Sequence, residues 1–291
     1  MSTVFTWNEA DMEALLLSCD NNEVTDLINQ YLDKSGPVLE SGCGAGRYVK
    51  YLSERGWNVT GLEYSQATVE MVRSKWPELD IVQGDVAASG FPDNHFSGMI
   101  SLGVVEHFPE GLAAPLADMH RILKPGGRAI ITVPCMSTLR RFKHLLWWYE
   151  LRGCIKPIAK RILRGTPLDL TVNRLRRDYR HPVNPALGPF YEYRLTPEAF
   201  VTAIQAAGFR IIRHLPIGHV DGMYHELNPF KLLVKFNTHS FEQTALCRAL
   251  NTALSRWPFF HAHMQAVIVE KATNQPLGQH RGDGLPAPDP V

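Results

Sequence analysis

Three carboxylates and one glycine-rich stretch are the residues of this sequence best suited to chemistry. The stretch is Glu40-Ser41-Gly42-Cys43-Gly44-Ala45-Gly46. Glycines at alternate positions let a backbone turn tightly and approach a ligand closely. A helix starting beyond them offers free N–H groups at its N-terminus. Glu40, just before the glycines, can meet a cationic amine. Glu63 can accept hydrogen bonds from both hydroxyls of a ribose. Asp85, in Gln83-Gly84-Asp85-Val86, can accept from an adenine amino group. Singly, such a loop is an ordinary strand–helix turn and such an acid an ordinary strand-end charge. Their weight comes from where the surrounding elements must put them.

Strands and helices alternate from residue 38 to residue 133. Short apolar runs at 38–40, 58–63, 80–83, 96–102 and 128–133 predict strands. Helices are predicted at 48–55, 65–75 and 112–123, with a turn at Lys124-Pro125-Gly126-Gly127. Strands that alternate with helices and are apolar throughout imply a mostly parallel sheet covered on both faces. Glu40, Glu63 and Asp85 then fall at the carboxyl ends of three successive strands, which in an open parallel sheet is the ligand crevice. The alternation breaks at 134–190. It resumes with a helix from Thr196-Pro197-Glu198 to Ala207, a strand at 209–215 and a last strand at 264–270.

In these pieces the sequence resembles the class I S-adenosylmethionine-dependent methyltransferases, especially their bacterial small-molecule and quinone-type branch. The resemblance rests on residues 38–47, Gly61-Leu62-Glu63-Tyr64-Ser65, Gly84-Asp85 and Phe91-Pro92-Asp93-Asn94-His95-Phe96. Val104-Val105-Glu106-His107 and Arg121-Ile122-Leu123-Lys124-Pro125-Gly126-Gly127 extend it. It is close over 36–135 and loose over 190–215. It implies an α/β fold: a Rossmann-like three-layer sandwich whose seven-stranded, mostly parallel sheet has an antiparallel last strand, with helical cap insertions. It implies S-adenosyl-L-methionine as cofactor. Glu40, Gly42, Gly44 and Gly46 would lie at its methionine end, Glu63 at its ribose, and Tyr64, Asp85 and Val86 around its adenine. Leu102 and Gly103 would floor the sulfonium. A nicotinamide dehydrogenase fingerprint would want glycine where Arg47 stands.

The expected organisation is a helical cap at 1–35, a cofactor-binding core at 36–135 and a basic aromatic insertion at 136–190. The rest of the core follows at 191–272, with a second insertion at 216–261, and then a disordered tail at 273–291. His107, after the fourth strand, is the candidate general base. Tyr191, Tyr193, His219 and Tyr224 are candidates for substrate contact. No metal is expected: the sulfonium already activates the methyl, and His214, His219 and His225 lack ligand spacing. Cys135, behind Pro134, reads as incidental. A non-catalytic interaction protein on the same fold is the second class of reading.

The net charge of +1 hides an uneven distribution. Residues 140–180 hold twelve Lys or Arg against three acids, a net of +9. Within them, 140–164 interleave charge with Phe142, Trp147, Trp148 and Tyr149, as a cap helix or a membrane-surface helix would. An acceptor that is small or lipid-linked follows, with peripheral contact to anionic membrane through 140–164. RNA and acidic glycans are the alternative acceptors, although no compact RNA-binding module accompanies the charge. Five scattered cysteines, no CxxC pair and no secretory n-region predict a cytoplasmic protein, peripheral at most to the inner membrane face.

Overall fold

The computed structural model describes residues 7, 9–20, 22–145, 178–180, 192–228, 233–237 and 240–273. Two helices lead in, α1 (Glu9–Leu17) and α2 (Glu23–Tyr31). The alternating core follows as β1 (Val38–Ser41), α3 (Arg47–Ser53), β2 (Val59–Glu63), α4 (Gln66–Lys75), β3 (Asp80–Gln83) and β4 (Phe96–Leu102). A 3-10 turn (Val105–His107), α5 (Ala113–Ile122) and β5 (Leu123–Pro134) complete it. β5 pairs with β4 at Leu123 and again from Arg128. The expected turn Lys124–Gly127 loops out between those two points, with Gly126 at φ +77°.

Beyond β5 come α6 (Thr138–Leu145), β6 (Asp178–Arg180), β7 (Tyr193–Leu195), α7 (Pro197–Ala206) and β8 (Phe209–Ile217). Then follow α8 (His219–Glu226), β9 (Val234–Asn237), β10 (Ser240–Gln243), α9 (Ala245–Leu254) and β11 (Met264–Lys271). Most of the 136–190 insertion, Tyr191 and the tail from 274 lie outside the described residues.

The main sheet has seven strands in the order β3-β2-β1-β4-β5-β11-β8. β11 runs antiparallel to both neighbours; the other six strands share one direction. This is the seven-stranded, mostly parallel, Rossmann-like sheet with an antiparallel last strand that the sequence predicts. Successive residues of the central strands serve opposite faces, as the two-residue period requires. Val38, Ile100, Ile130 and Ile268 enter one core with α1 to α4. Leu39, Met99, Ile131 and Val267 enter the other with α5 and α7. β8 runs two residues past its expected end because β11 goes on pairing as far as Ile217. Pro216 fits there because β8 is an edge strand, which tolerates a missing N–H.

The second excursion, α8 to α9, has its own small core of Met223, Val234 and Cys247. A buried arginine clamps it to the sheet. Arg140, 3% exposed, donates through Nε to Glu226 Oε1 at 2.8 Å. Its Nη1 donates to the carbonyls of Cys135 at 2.6 Å and His263 at 3.0 Å, and Nη2 meets His263 Nδ1 at 2.6 Å. Lys143 Nζ adds a 2.8 Å bond to Glu226 Oε2. Burial alone would raise the Glu226 carboxyl; the Arg140 and Lys143 bonds outweigh it and hold the group below its ordinary range. α6 therefore turns Arg140 inward and leaves Phe142 55% exposed. Glycine is required at 222, where a Cβ would run into the His261 carbonyl. Among the described residues no helix is long and apolar enough to cross a membrane.

Candidate functional site

The strand order reverses between β1 and β4, so the loops leaving their carboxyl ends diverge and open a crevice. The two loops touch across it. A Cβ on Gly42 would fall 2.6 Å from Val104 Cγ2, in the loop after β4. Gly42, Gly44 and Gly46 all have positive φ, at +81°, +52° and +73°, which a side chain would strain. Gly46 is the N-cap of α3 and brings no side chain to cap it. Glu40 does that from β1: its Oε2 accepts from Val49 N–H at 3.0 Å. A carboxylate at a helix N-terminus is favoured by the macrodipole as well.

Glu63 holds the loop from the next strand. Its Oε2 accepts from Gly44 N–H and its Oε1 from Ser65 N–H, both at 2.9 Å. Ser65 in turn caps α4 by accepting from Thr68 N–H at 3.3 Å. Two oxygens carry about four lone-pair sites, and the Tyr64 N–H bears on this carboxylate as well, so only part of Glu63's acceptor capacity stays open. Asp85 Oδ1 accepts from Ala87 N–H at 2.9 Å and so stays beside β3. Between Glu63 and Asp85 lies a pocket of about 370 Å³, lined by Tyr64, Ser65, Gln66, Gln83, Gly84 and Asp85. Tyr64 is 44% exposed at its rim. Val86, next in sequence to Asp85, is buried and does not line the pocket.

Burial dominates the acidity of this corner. It pushes Glu40 up to about 8; Arg47 and the Val49 N–H oppose it, and Glu63 reinforces it. Burial also raises Glu63, against the backbone N–H groups of Ser65, Gly44 and Tyr64. For Glu40 the neutral form is favoured by the fold. Its contribution to stability is therefore full below 4.5 and is lost as pH rises toward about 8. Glu40→Gln keeps an oxygen for Val49 and removes the charge. The variant should melt at the same temperature as the parent at pH 4.5 and at a higher one at pH 9. Melting curves at the two pH values check this, and an equal or lower melting temperature at pH 9 would refute it.

Leu102 ends β4 and Gly103 follows it at φ +70°. A Cβ on Gly103 would stand 3.4 Å from Glu106 Oε1 and 3.9 Å from Met264 Cε. His107 Nε2 lies 3.9 Å from the same Glu106 oxygen. Glu106 itself is 1% exposed, and its Oε2 is buried with no hydrogen-bond partner among the described residues. Burial, helped by Glu192, raises this carboxyl well above its ordinary value. The other sequence candidates lie elsewhere. Tyr193 is buried, with its hydroxyl donating to Pro109 O at 2.7 Å. His219 packs its ring against His261 at 5.0 Å, and Tyr224 packs on Phe241 at 5.3 Å. None of the three lines the pocket between Glu63 and Asp85. Cys135 is fully buried and its thiol is pushed up to about 12 by that burial, which makes it a poor nucleophile.

Sequence reasoning missed Trp7. Its indole stands where a Cβ on Gly44 would go, at 2.8 Å, so it covers the glycine loop. A lone aromatic ahead of the first helix gives no sign of that. It missed Gln83 and Gly84 as pocket walls, although both adjoin Asp85.

Residues 39–131 match a family model described as a methyltransferase domain. A Thermosynechococcus vestitus protein named 2-phytyl-1,4-naphtoquinone methyltransferase is 28% identical over 64% of this chain and 77% of its own length. A Staphylococcus epidermidis demethylmenaquinone methyltransferase is 32% identical over 40% of this chain and 51% of its own. A Mycolicibacterium smegmatis protein, named as a probable S-adenosylmethionine-dependent methyltransferase, is 34% identical over 33% of this chain. The chain spans only 37% of that relative's length. Among solved structures, a SAM-dependent methyltransferase from Methanosarcina mazei aligns with TM-score 0.53 at 16% identity, over 85% of this chain and 98% of that one. One from Archaeoglobus fulgidus aligns with TM-score 0.52 at 18% identity, over 89% and 94%. The matched family, the sheet order and the glycine loop held by strand-end carboxylates agree, and the chain carries a class I S-adenosylmethionine-dependent methyltransferase domain.

Proposed function

We propose that this chain binds S-adenosyl-L-methionine and transfers its methyl group to oxygen or carbon of a small or lipid-linked, quinone-like acceptor. The observation that carries the reading is the placement of Glu40, Glu63 and Asp85 at the carboxyl ends of three adjacent strands, with a pocket lined by Asp85 and by Tyr64 and Ser65, next to Glu63, opening between the ends of β2 and β3. The residues fit the cofactor. The three positive-φ glycines let the backbone turn tightly with Trp7 and Val104 packed against it, and Glu63 holds that loop at the end of β2, next to the pocket.

When bound, the cofactor supplies a methyl already made electrophilic by its sulfonium. The protein's work is then orientation, which can contribute several orders of magnitude in rate. Glu63 accepts from the ribose hydroxyls. Asp85 and the Val86 N–H read the adenine edge, with Tyr64 at the rim. Glu40 faces the cationic amino group and ionises in its presence. Leu102 and Gly103 floor the reacting centre. His107 takes the proton of an acceptor that must lose one. The quinone-like acceptor is supported by the names of the relatives from Thermosynechococcus and Staphylococcus. Buried, unpaired cysteines at 19, 43, 135 and 247 support a reducing cytoplasm.

The test is incubation of the protein with deuterated-methyl cofactor and total cell extract, with mass spectrometry of lipid, soluble and RNA fractions. Label should appear in a lipid or small soluble product and vanish with Glu63→Ala. Label confined to RNA or glycan would overturn the acceptor class. Absence of S-adenosylhomocysteine binding by calorimetry would overturn the whole reading.

A further inference from the structure

We infer that the outer face of α9 and the turn after it dock on an anionic lipid surface. α9 is apolar on two sides. One side is covered: Cys247 is fully buried, and Asn251 Oδ1 bonds His261 Nε2 at 2.7 Å. The other side carries Leu246, Ala249, Leu250 and Ala253, all exposed, at the i, i+3, i+4, i+7 spacing of a second apolar stripe. Leu246 is 61% exposed and Trp257, on the following turn, is 61% exposed as well. An apolar stripe of this kind on a soluble fold marks a contact surface.

The charges say which surface. No carboxylate occurs between Glu242 and Glu270, whereas Arg248 and Arg256 are both exposed. The turn carrying Trp257 is also where the basic insertion departs. Thr138 and Leu139 N–H groups, at the start of α6, donate to Phe259 O at 3.0 Å and Phe260 O at 2.8 Å. α6 then shows Arg141 and Phe142 to solvent and leads into the segment with net charge +9. Exposed leucine and tryptophan beside arginine, with acids excluded, suit the headgroup layer of an anionic bilayer. The stripe lies on the exposed side of α9. It also differs from the 140–164 stretch that the sequence points to. Of that stretch's described cations, Arg140 and Lys143 are engaged with Glu226 and only Arg141 is exposed.

The docking face belongs to the excursion that Arg140 clamps to the end of β5. It would therefore hold the acceptor side of the sheet near a lipid-linked acceptor. That consequence rests on the proposed function; the docking itself does not.

The test is flotation of the full chain with vesicles of phosphatidylcholine alone or mixed with phosphatidylglycerol. The protein should float with the anionic vesicles, release with salt and ignore the neutral ones. Leu246→Ser with Leu250→Ser and Trp257→Ser should cut bound protein by about tenfold or more. Arg256→Glu should lower it on anionic vesicles only. Calorimetry with S-adenosylhomocysteine reads the cofactor site separately, and unchanged uptake by the variants shows that they fold. A parent protein that does not float overturns the inference. So do a triple variant that floats like the parent, which would assign binding to the basic insertion, and a dimer by light scattering that the triple variant dissolves.

Discussion

Glu63→Ala should weaken S-adenosylhomocysteine binding by at least about 100-fold while leaving a folded protein. The side chain does two jobs. It pins Gly44 and Ser65 through their N–H groups, and it ends β2 next to the pocket, where in the proposed function it accepts from the ribose. Hydrogen bonds to charged groups are each worth about 1.5–3 kcal/mol. Losing two to a ribose costs about 3 kcal/mol or more, and every 1.4 kcal/mol is about tenfold. The loop loses its two anchors as well, so Gly44 no longer holds its left-handed conformation without ligand. Titration calorimetry gives the affinity, and circular dichroism confirms the fold. Glu63→Gln separates the two jobs. Its amide oxygen can still accept one backbone N–H, but the amide nitrogen cannot accept from the second or from a ribose hydroxyl. Affinity should fall nearly as far, with less loss of thermal stability than in Glu63→Ala. If Glu63→Ala bound within about threefold of the parent, the pocket between Glu63 and Asp85 would not be the nucleoside site.

Arg140→Ala should cost about 3–5 kcal/mol of stability, the largest effect expected outside the cofactor site. The guanidinium is 3% exposed and bonds Glu226, two carbonyls and His263 Nδ1. Removing it leaves a buried carboxylate with Lys143 beside it and takes the guanidinium donor from two carbonyls, of which His263 O keeps the Cys135 N–H at 2.9 Å. Burial and the Arg140 charge also push His263 down to about 3, so its ring is neutral and Nδ1 is free to accept. Without Arg140 that ring should titrate nearer its ordinary value. Urea denaturation measures the loss, and NMR of His263 follows the titration. Arg140→Met with Glu226→Leu removes charge and counter-charge together and should recover most of the lost stability, because the pair must first be desolvated. A single variant as stable as the parent would show that α8 and α9 are held by their apolar core alone.

Glu63 and Glu40 show how one side chain can serve both the fold and the proposed function. Glu40 caps α3 because Gly46 cannot, and the proposed function has it meet the ligand because α3 starts at the crevice. Burial pushes its pKa up to about 8, so the protein without ligand holds a destabilised carboxylate at alkaline pH that a cationic ligand would relieve. Glu106, with one oxygen orphaned, is a second such group near Gly103.

The elements of the core were legible in the sequence because each is specified locally. Ser65 and Thr196 cap α4 and α7 as their types predict. Gly208 ends α7, and continuous apolar runs such as 128–133 require a sheet buried on both faces. Strand period and helix period then place Glu40, Glu63 and Asp85 on one sheet edge with no long-range knowledge. Only the tertiary structure could decide what crosses between elements. Trp7 over Gly44, Tyr193 on Pro109 and the rings of His219 and His261 are pairings between segments whose local sequence is silent about partners. The basic insertion shows why most clearly. A charged residue usually seeks water, so Arg140 reads as surface and Phe142 as core. The fold inverts them, because Glu226, brought from 86 residues away, offers Arg140 a paired and hydrogen-bonded site that burial alone would forbid.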